Sequence, residues 1–311
     1  MNRSTRIFLI GLVLFLALGS AVLLGMIPHL VMGDMIHTHV DFDTVYAPEE
    51  YGLDAEEIVL TTVDGLNIAA YEVKVPNPKA VIVFISGIQN PSVTAFFGHA
   101  RFFGEEGYAS LLLEMRAHGK SEGDLIALGY HEHLDVKGAV DYIRSKDEYD
   151  GVPIVLYGVS MGGAVAINGA GLYPEIDGVV SMSAYSSWED MFSDQMILSG
   201  APLLITVLEK PFVRLYTMYK FGFQNRHISP KNLIRNLNQR PALIMHSKDD
   251  SQVPMANFQR IMEGAPNHVE TWERSGDHHM LCLDYENPER DEEYVHRVLS
   301  FLNRHFPSHS L

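Results

Sequence analysis

The feature that most constrains the fold is a glycine-rich turn between an apolar run and a helical pattern. Residues 153–159 read PIVLYGV, and residues 158–163 read GVSMGG. The apolar run does not alternate with polar residues, which predicts a strand buried on both faces. A helix rich in small residues is predicted to follow it at 161–172. Glycine at 158 and 162 leaves room for a sharp strand-to-helix turn that exposes the side chain of Ser160.

The rest of the chain alternates strand-like runs with helical patterns, which is typical of an α/β fold. We expect a mostly parallel central sheet with helices on both faces. Residues 57–61 and 67–75 are predicted to form an opening hairpin that turns at Asp64-Gly65. Further strands are predicted at 80–86, 109–114, 153–159, 178–183, 242–246 and 268–271, and helices at 96–106, 131–145, 161–172 and 292–306.

The alternation stops between Ser186 and Arg240, where apolar helical pieces are separated by Pro and Gly. We expect residues 186–240 to form a helical lid inserted between the sixth and seventh strands. The apolar stretch at 196–223 is a candidate lining for an acyl pocket. The alternative is a helical excursion that only supports the sheet.

An apolar stretch without charged residues runs from Ile7 to Ile27. Its 21 residues would span about 30 Å as a helix, which is the thickness of a bilayer's hydrocarbon core. Arg3 and Arg6 precede the stretch, and the next Lys or Arg is Lys74. The positive-inside rule therefore predicts a single-pass anchor with a cytoplasmic N-terminus and an extracytoplasmic body. The alternative is a secreted body after signal cleavage, although Ala17-Leu18-Gly19 is only a fair cleavage site.

These patterns divide the chain into an anchor at 1–28, a tether at 29–55 and one α/β domain at 56–311. Histidine and aspartate residues in the tether have no fixed geometry, so we assign no metal site there.

A formal net charge of -16 excludes the basic surface that a nucleic-acid partner requires. The single cysteine, Cys282, excludes an intramolecular disulfide and lies in an apolar run that predicts burial.

Ser160 is the candidate nucleophile, because the turn exposes its hydroxyl at the top of the sheet. A serine hydroxyl needs a base to take its proton and a third group to orient that base. In such a sheet the acid and then the histidine follow downstream. Asp249 and Asp250 follow the strand predicted at 242–246. His278 and His279 lie in the loop before the final helix, and spacing alone leaves both choices open.

Two backbone N–H groups are candidates to stabilise an oxyanion beside Ser160. The first is that of Met161, at the start of the helix that follows the turn. The second is that of Ile88, in the loop Ser86-Gly87-Ile88-Gln89-Asn90 after the strand predicted at 80–86.

These motifs resemble the α/β hydrolases, in particular the serine aminopeptidase/monoacylglycerol lipase-like group. The resemblance covers Ile58 to Phe306. It rests on GVSMGG (158–163), RAHGKSEG (116–123), GYHEHLDV (129–136), AVDY (139–142) and the segment from Ser229-Pro230 through PALIMHSKDDSQVP. The group's H-G-x-x-D-x-x-V-P pattern selects Asp250 as the acid, and its G-x-H pattern selects His278 as the base.

The sequence departs from the group at two positions. Ser86 replaces the histidine that usually opens the oxyanion loop, and Ala117 replaces the first glycine of R-G-H-G. Because the oxyanion donor is a backbone N–H, the first change is compatible with activity. The resemblance implies a serine hydrolase that acts on esters, amides or thioesters with no metal and no organic cofactor.

We therefore expect a membrane-anchored serine hydrolase that cleaves a carboxylic ester of a small-molecule or lipid-like acyl substrate. The reaction would use a Ser-His-Asp triad and an acyl-enzyme. A serine peptidase or aminopeptidase, or an acyltransferase, is the alternative on the same fold. Glu189, Asp190 and Asp194 are available to bind a peptide terminus. A catalytically inactive binding module would require a broken triad, and each triad position has a candidate here.

Overall fold

A computed structural model of the protein describes residues 2–89 and 91–308. Within these residues, eight strands form one sheet. The strands are β1 (Ala55–Thr61), β2 (Asn67–Val73), β3 (Val81–Ile85), β4 (Ala109–Leu113), β5 (Ile154–Val159), β6 (Gly178–Met182), β7 (Ala242–Ser247) and β8 (Glu270–Arg274).

The sheet is mostly parallel, and its strand order is β1-β2-β4-β3-β5-β6-β7-β8. The hairpin β1–β2 is antiparallel, and β2 pairs antiparallel with β4. All pairs from β4 across to β8 are parallel. Strands β3 to β7 are buried along their whole length, as expected for strands covered by helices on both faces. The predicted fold class is confirmed.

Helices pack on both faces of the sheet, each against its own hydrophobic core. Side chains of β3 alternate between the two cores, with Val83 on one face and Phe84 on the other. Val83 shares its core with α3 and α4, whereas Phe84 packs with α2 and α9. The helices are α1 (Arg3–Ile36), α2 (Phe97–Glu105), α3 (His133–Arg144), α4 (Met161–Leu172), α5 (Trp188–Leu198), α6 (Leu203–Phe221), α7 (Pro230–Leu233), α8 (Ala256–Met262) and α9 (Glu292–His305).

Helix α1 extends beyond the predicted anchor. Residues 29–36, which lie in the predicted tether, continue the helix. The reason is a second apolar stripe, in which Pro28, Met32 and Ile36 recur at helical spacing and are buried against the body. In the described part of the chain, α1 is the one helix long and apolar enough to cross a membrane. This finding is compatible with a single-pass anchor or with a signal sequence.

Helices α5, α6 and α7 lie between β6 and β7, where the sequence predicts the lid. Helix α5 begins after Ser187, whose hydroxyl accepts a hydrogen bond from the Asp190 amide at 3.3 Å. Helices α5 and α6 form a hairpin joined at Ser199–Pro202, and α6 also packs against α1.

The end of the sheet differs from the prediction. Strand β8 covers Glu270–Arg274 rather than 268–271. The side chain of His268 instead bonds the Arg240 carbonyl oxygen at 2.9 Å, before the strand begins. At this edge only alternate residues are buried, so the apolar signal is too weak to fix the start of the strand.

Candidate active site

Ser160 lies at the turn between β5 and α4. Its backbone has φ 56° and ψ −120°, a region that residues with a Cβ rarely occupy. The Ser160 amide donates to the Met182 carbonyl oxygen at 2.8 Å, which ties the turn to the neighbouring strand β6. Such a strained turn, held by its surroundings, presents the hydroxyl above the sheet as the mechanism requires.

The two glycines of the turn are required by close backbone contacts. A Cβ at Gly158 would overlap the carbonyl oxygen of Gly162. A Cβ at Gly162 would overlap the carbonyl oxygens of Ile85 and Ser86, at the end of β3. The motif is therefore explained by packing at the point where β3, β5 and α4 meet.

Asp250 lies in the loop after β7, and its side chain is fully buried. One carboxylate oxygen accepts hydrogen bonds from the Gln252 and Val253 amides, at 2.9 and 2.8 Å. The other lies 2.9 Å from His279 Nδ1. Burial by itself would raise the pKa of Asp250, but the hydrogen bonds from His279 and Val253 outweigh it and lower that pKa. Asp250 is thus a fixed, ionised carboxylate that can orient an imidazole.

The histidine that contacts Asp250 is His279, not His278, which corrects the choice made from the family pattern. The His278 amide donates to the Ser247 hydroxyl at 3.0 Å, which fixes the loop at this residue. Its ring lies over Gly276, where a Cβ would be 2.9 Å from His278 Nε2. The next side chain along the loop, that of His279, is the one directed at Asp250.

Asp249, the other candidate acid, is directed elsewhere. Its carboxylate accepts from the Gly276 amide at 3.2 Å, and its own amide donates to the Gly276 carbonyl oxygen at 3.1 Å. These bonds join the loop after β7 to the loop after β8, and neither of them involves an imidazole.

The oxyanion candidates Met161 and Ile88 both line the cavity that contains Ser160. The loop passes close to the nucleophile, since a Cβ at Gly87 would lie 3.6 Å from that of Ser160, an ordinary van der Waals contact. His118 supports the loop from behind, with Nε2 2.6 Å from the Ile88 carbonyl oxygen. Its Nδ1 lies 2.8 Å from the Arg116 carbonyl oxygen. Asn90, the last residue of the predicted loop, lies outside the described residues.

The cavity at Ser160 is small and mostly apolar, with a volume of about 160 Å³. Helix α1 contributes Met35, and α5 contributes Trp188 and Met191. None of its lining residues comes from 196–223 in the described chain, so the expected acyl lining by that stretch is wrong. The sequence feature that could have indicated Met35 as a lining residue is the apolar stripe of α1 that continues beyond residue 28. The full lining is Met35, Ile88, Ser160, Met161, Tyr185, Trp188, Met191, Gln252, Val253 and His279.

Two other potentially reactive side chains, Cys282 and His39, lie outside the cavity at Ser160 and have structural contacts. Burial raises the pKa of the Cys282 thiol to about 12, which makes it a poor nucleophile. His39, in the segment after α1, bonds the carbonyl oxygens of Gly123 and Gly119 at 3.0 and 2.9 Å. These two bonds raise the pKa of His39. Among the residues described, no group of three or more His, Cys, Asp or Glu is arranged to hold a metal ion.

A family model described as Serine aminopeptidase, S33 matches residues 76–240, more than half of the chain. The chain belongs to the serine aminopeptidase S33 family. YqkD of Bacillus subtilis (strain 168) is 24% identical over 217 residues, 68% of this chain and 68% of that protein. YfhR of Escherichia coli (strain K12) is 22% identical over 225 residues, 70% of each.

Solved structures share the architecture described above. The esterase Pf2001 of Pyrococcus furiosus has a TM-score of 0.67 at 22% identity, covering 87% of this chain and 98% of its own. The acylaminoacyl peptidase of Pyrococcus horikoshii has a TM-score of 0.61 at 15% identity, covering 83% of this chain and 42% of its own. These likenesses show the α/β-hydrolase fold. With the family, they make the protein a hydrolase of the serine-hydrolase type.

Proposed function

We propose that the protein is a membrane-anchored serine hydrolase that cleaves carboxylic esters through an acyl-enzyme. Ser160 is the nucleophile, His279 the general base and Asp250 the residue that orients it. The single observation that carries this proposal is the position of His279. It bonds the buried Asp250 carboxylate through Nδ1 and lines the same cavity as Ser160.

The reaction follows from this geometry. With its Nδ1–H donated to Asp250, the His279 ring has Nε2 free to take the Ser160 proton. The Ser160 oxygen then attacks the ester carbonyl, and the Met161 and Ile88 N–H groups stabilise the oxyanion. The His279 imidazolium returns the proton to the leaving alcohol. Water, activated by the same ring, hydrolyses the acyl-enzyme and restores Ser160.

The cavity favours an ester with a short apolar acyl group. An engineered cavity of about 150 Å³ holds one benzene molecule, and the cavity at Ser160 has nearly the same volume, about 160 Å³. An acyl group of about six carbons would therefore fill it.

A peptidase has less support from the lid carboxylates. Asp190 is bonded to Lys210 and Lys231, at 2.9 and 2.5 Å. Asp194 forms a bidentate pair with Arg260, at 2.6 and 3.0 Å. Both of these acids are occupied, so neither is free to capture a peptide amino terminus. Glu189, the third candidate, is half-buried and forms no ion pair with the described residues. Acyl transfer to an alcohol would use the same acyl-enzyme, and product analysis with added alcohol separates it from hydrolysis.

The test compares Ser160→Ala, His279→Ala and His278→Ala. Ser160→Ala should abolish ester turnover and labelling by a fluorophosphonate, with the circular dichroism spectrum unchanged. His279→Ala should lower kcat by about 10²- to 10⁴-fold, the usual contribution of a positioned base. His278→Ala is the matched control and should stay within about tenfold of the wild type. Full activity in Ser160→Ala would refute the assignment.

We also propose that α1 is retained as the anchor, with the body outside the cytoplasm. The length of its apolar segment and the two arginines before it support this topology. Mass spectrometry of the membrane-bound protein should find the N-terminus intact. Protease added to sealed, right-side-out membrane vesicles should degrade the body. A mature chain that begins after residue 19 and is recovered from the soluble fraction would contradict the anchor.

A further inference from the structure

The packing of α6 on α1 fixes how the lid lies relative to the anchor. A Cβ at Gly25 would lie 3.6 Å from Phe212 Cδ1. One turn further along both helices, the rings of His29 and Tyr216 have centroids 6.1 Å apart. Four residues on α1 thus correspond to four on α6, so the helices run parallel with matched rise.

This register sets the depth of the lid along the anchor. Extending this register towards the N-termini of both helices, past Pro211 of α6, places residues 203–211 at the level of residues 16–24 of α1. Those residues of α1 belong to the apolar segment 7–27. The tip of the α5–α6 hairpin therefore lies beside the anchor helix, at the level of the segment proposed to cross the membrane.

The surface of the hairpin at this level is apolar. No residue from 196 to 208 is charged. Six of its eight large apolar side chains are exposed by 45% to 69% and lie together, unlike the scattered apolar residues of an ordinary surface. They are Ile197, Leu198, Leu203, Leu204, Val207 and Leu208. The first charged groups after them turn inward, since Glu209 is fully buried and Lys210 pairs with Asp190.

Polar and aromatic groups reappear where the apolar segment of α1 ends. Arg214, exposed on α6, is level with Ile27 in the same register. Tyr219 follows it with 81% of its surface exposed. Aromatic and basic side chains at the boundary of an apolar zone are typical of a membrane interface. The first exposed basic group of α6 is therefore level with the end of the apolar segment 7–27, although the exposed side chains of Leu30, Val31 and Leu215 lie beyond it.

We propose that the tip of the α5–α6 hairpin, residues 196–208, is embedded in the acyl layer of the membrane that α1 spans. This inference rests on the proposed anchoring of α1 and adds a second point of insertion. Helix α5 also supplies Trp188 and Met191 to the cavity at Ser160. The embedded tip and the cavity wall are thus parts of one helix pair, which suits a substrate dissolved in the membrane.

The test uses the full chain in phosphatidylcholine nanodiscs, with a bimane label on single introduced cysteines. The native Cys282 is buried, so the unsubstituted protein controls for background labelling. Leu204→Cys reports the hairpin tip and Leu16→Cys reports the anchor. Leu172→Cys is the matched control, because it lies at the end of α4 opposite Ser160, about 18 Å away.

With lipids that carry a quencher on the acyl chain, the labels at 204 and 16 should lose most of their emission. The label at 172 should lose none. Quenching at 16 without quenching at 204 would overturn the embedded tip and leave the anchor intact. Absence of quenching at both positions would overturn both proposals. A label at 204 that is shielded from water yet insensitive to the quencher would indicate a second copy on this surface, and would also overturn the proposal.

A second variant tests the consequence for turnover. The measured quantity is the ratio of two hydrolysis rates, that of an ester dispersed in vesicles to that of a water-soluble ester. Leu204→Glu should lower this ratio by at least tenfold. Leu172→Glu should leave this ratio unchanged. Equal effects of Leu204→Glu on both esters would argue against the embedded tip, since a folding defect or a damaged site reduces both rates together. Loss of both rates in Ser160→Ala tests the hydrolase assignment separately.

Discussion

Met35 should set the length of acyl chain that the enzyme accepts. This half-buried side chain of α1 lines the cavity at Ser160, whose volume is about 160 Å³. Met35→Ala removes three heavy atoms from the wall, which makes room for roughly two further acyl carbons. The cavity boundary on this side comes from the proposed anchor, so the prediction links the N-terminal helix directly to specificity.

The magnitude follows from the burial of methylene groups. Each buried methylene contributes about 0.8 kcal/mol, or roughly fourfold in kcat/KM when it is retained in the transition state. In the wild type, kcat/KM should rise by this factor per carbon up to about six carbons and then stop rising. In Met35→Ala, two further methylenes should be buried, raising the ratio of octanoyl to hexanoyl ester turnover about tenfold or more.

The assay is kcat/KM for 4-nitrophenyl esters of two to ten carbons, with active-site titration to count competent enzyme. Met26→Ala is the matched control, because Met26 lies on the same helix but has 48% of its surface exposed. Its profile should match that of the wild type. An unchanged chain-length profile in fully titratable Met35→Ala would refute the cavity argument. So would an equal shift in both variants.

Three other substitutions test separate parts of the structure. His118→Ala removes the contact behind the Ile88 carbonyl, so kcat should fall roughly tenfold with little change in KM, measured on a soluble ester. Asp250→Asn should lower kcat by about 10⁴-fold, because the amide no longer orients and stabilises the imidazolium, while the circular dichroism spectrum stays unchanged. Burial raises the pKa of Glu114 to about 7, so the wild type should lose stability as pH rises from about 4.5 to 7. Glu114→Gln lacks this loss, so its stability relative to the wild type should be greater at pH 8 than at pH 5, by up to about 3 kcal/mol, in paired thermal denaturation curves.

The sequence alone determined the elements of the fold and the position of the nucleophile. Strands buried on both faces appear in the sequence as continuous apolar runs. Their alternation with helical patterns indicates the α/β fold class. The glycines at 158 and 162 indicate a tight turn from local sequence, although in the structure Gly162 is also required by its contact with Ile85 and Ser86. The position of Ser160 at the end of β5 therefore follows from the local sequence.

The tertiary structure decided which side chains face the cavity. His278 and His279 are neighbours in an irregular loop, where no periodicity fixes side-chain direction. A bond from the His278 amide to Ser247, 31 residues away along the chain, directs His279 towards Asp250. Met35 likewise reaches the cavity only because α1 continues past the apolar segment and packs on the lid. Contacts between residues far apart in the chain set these choices, and such contacts leave no local pattern in the sequence.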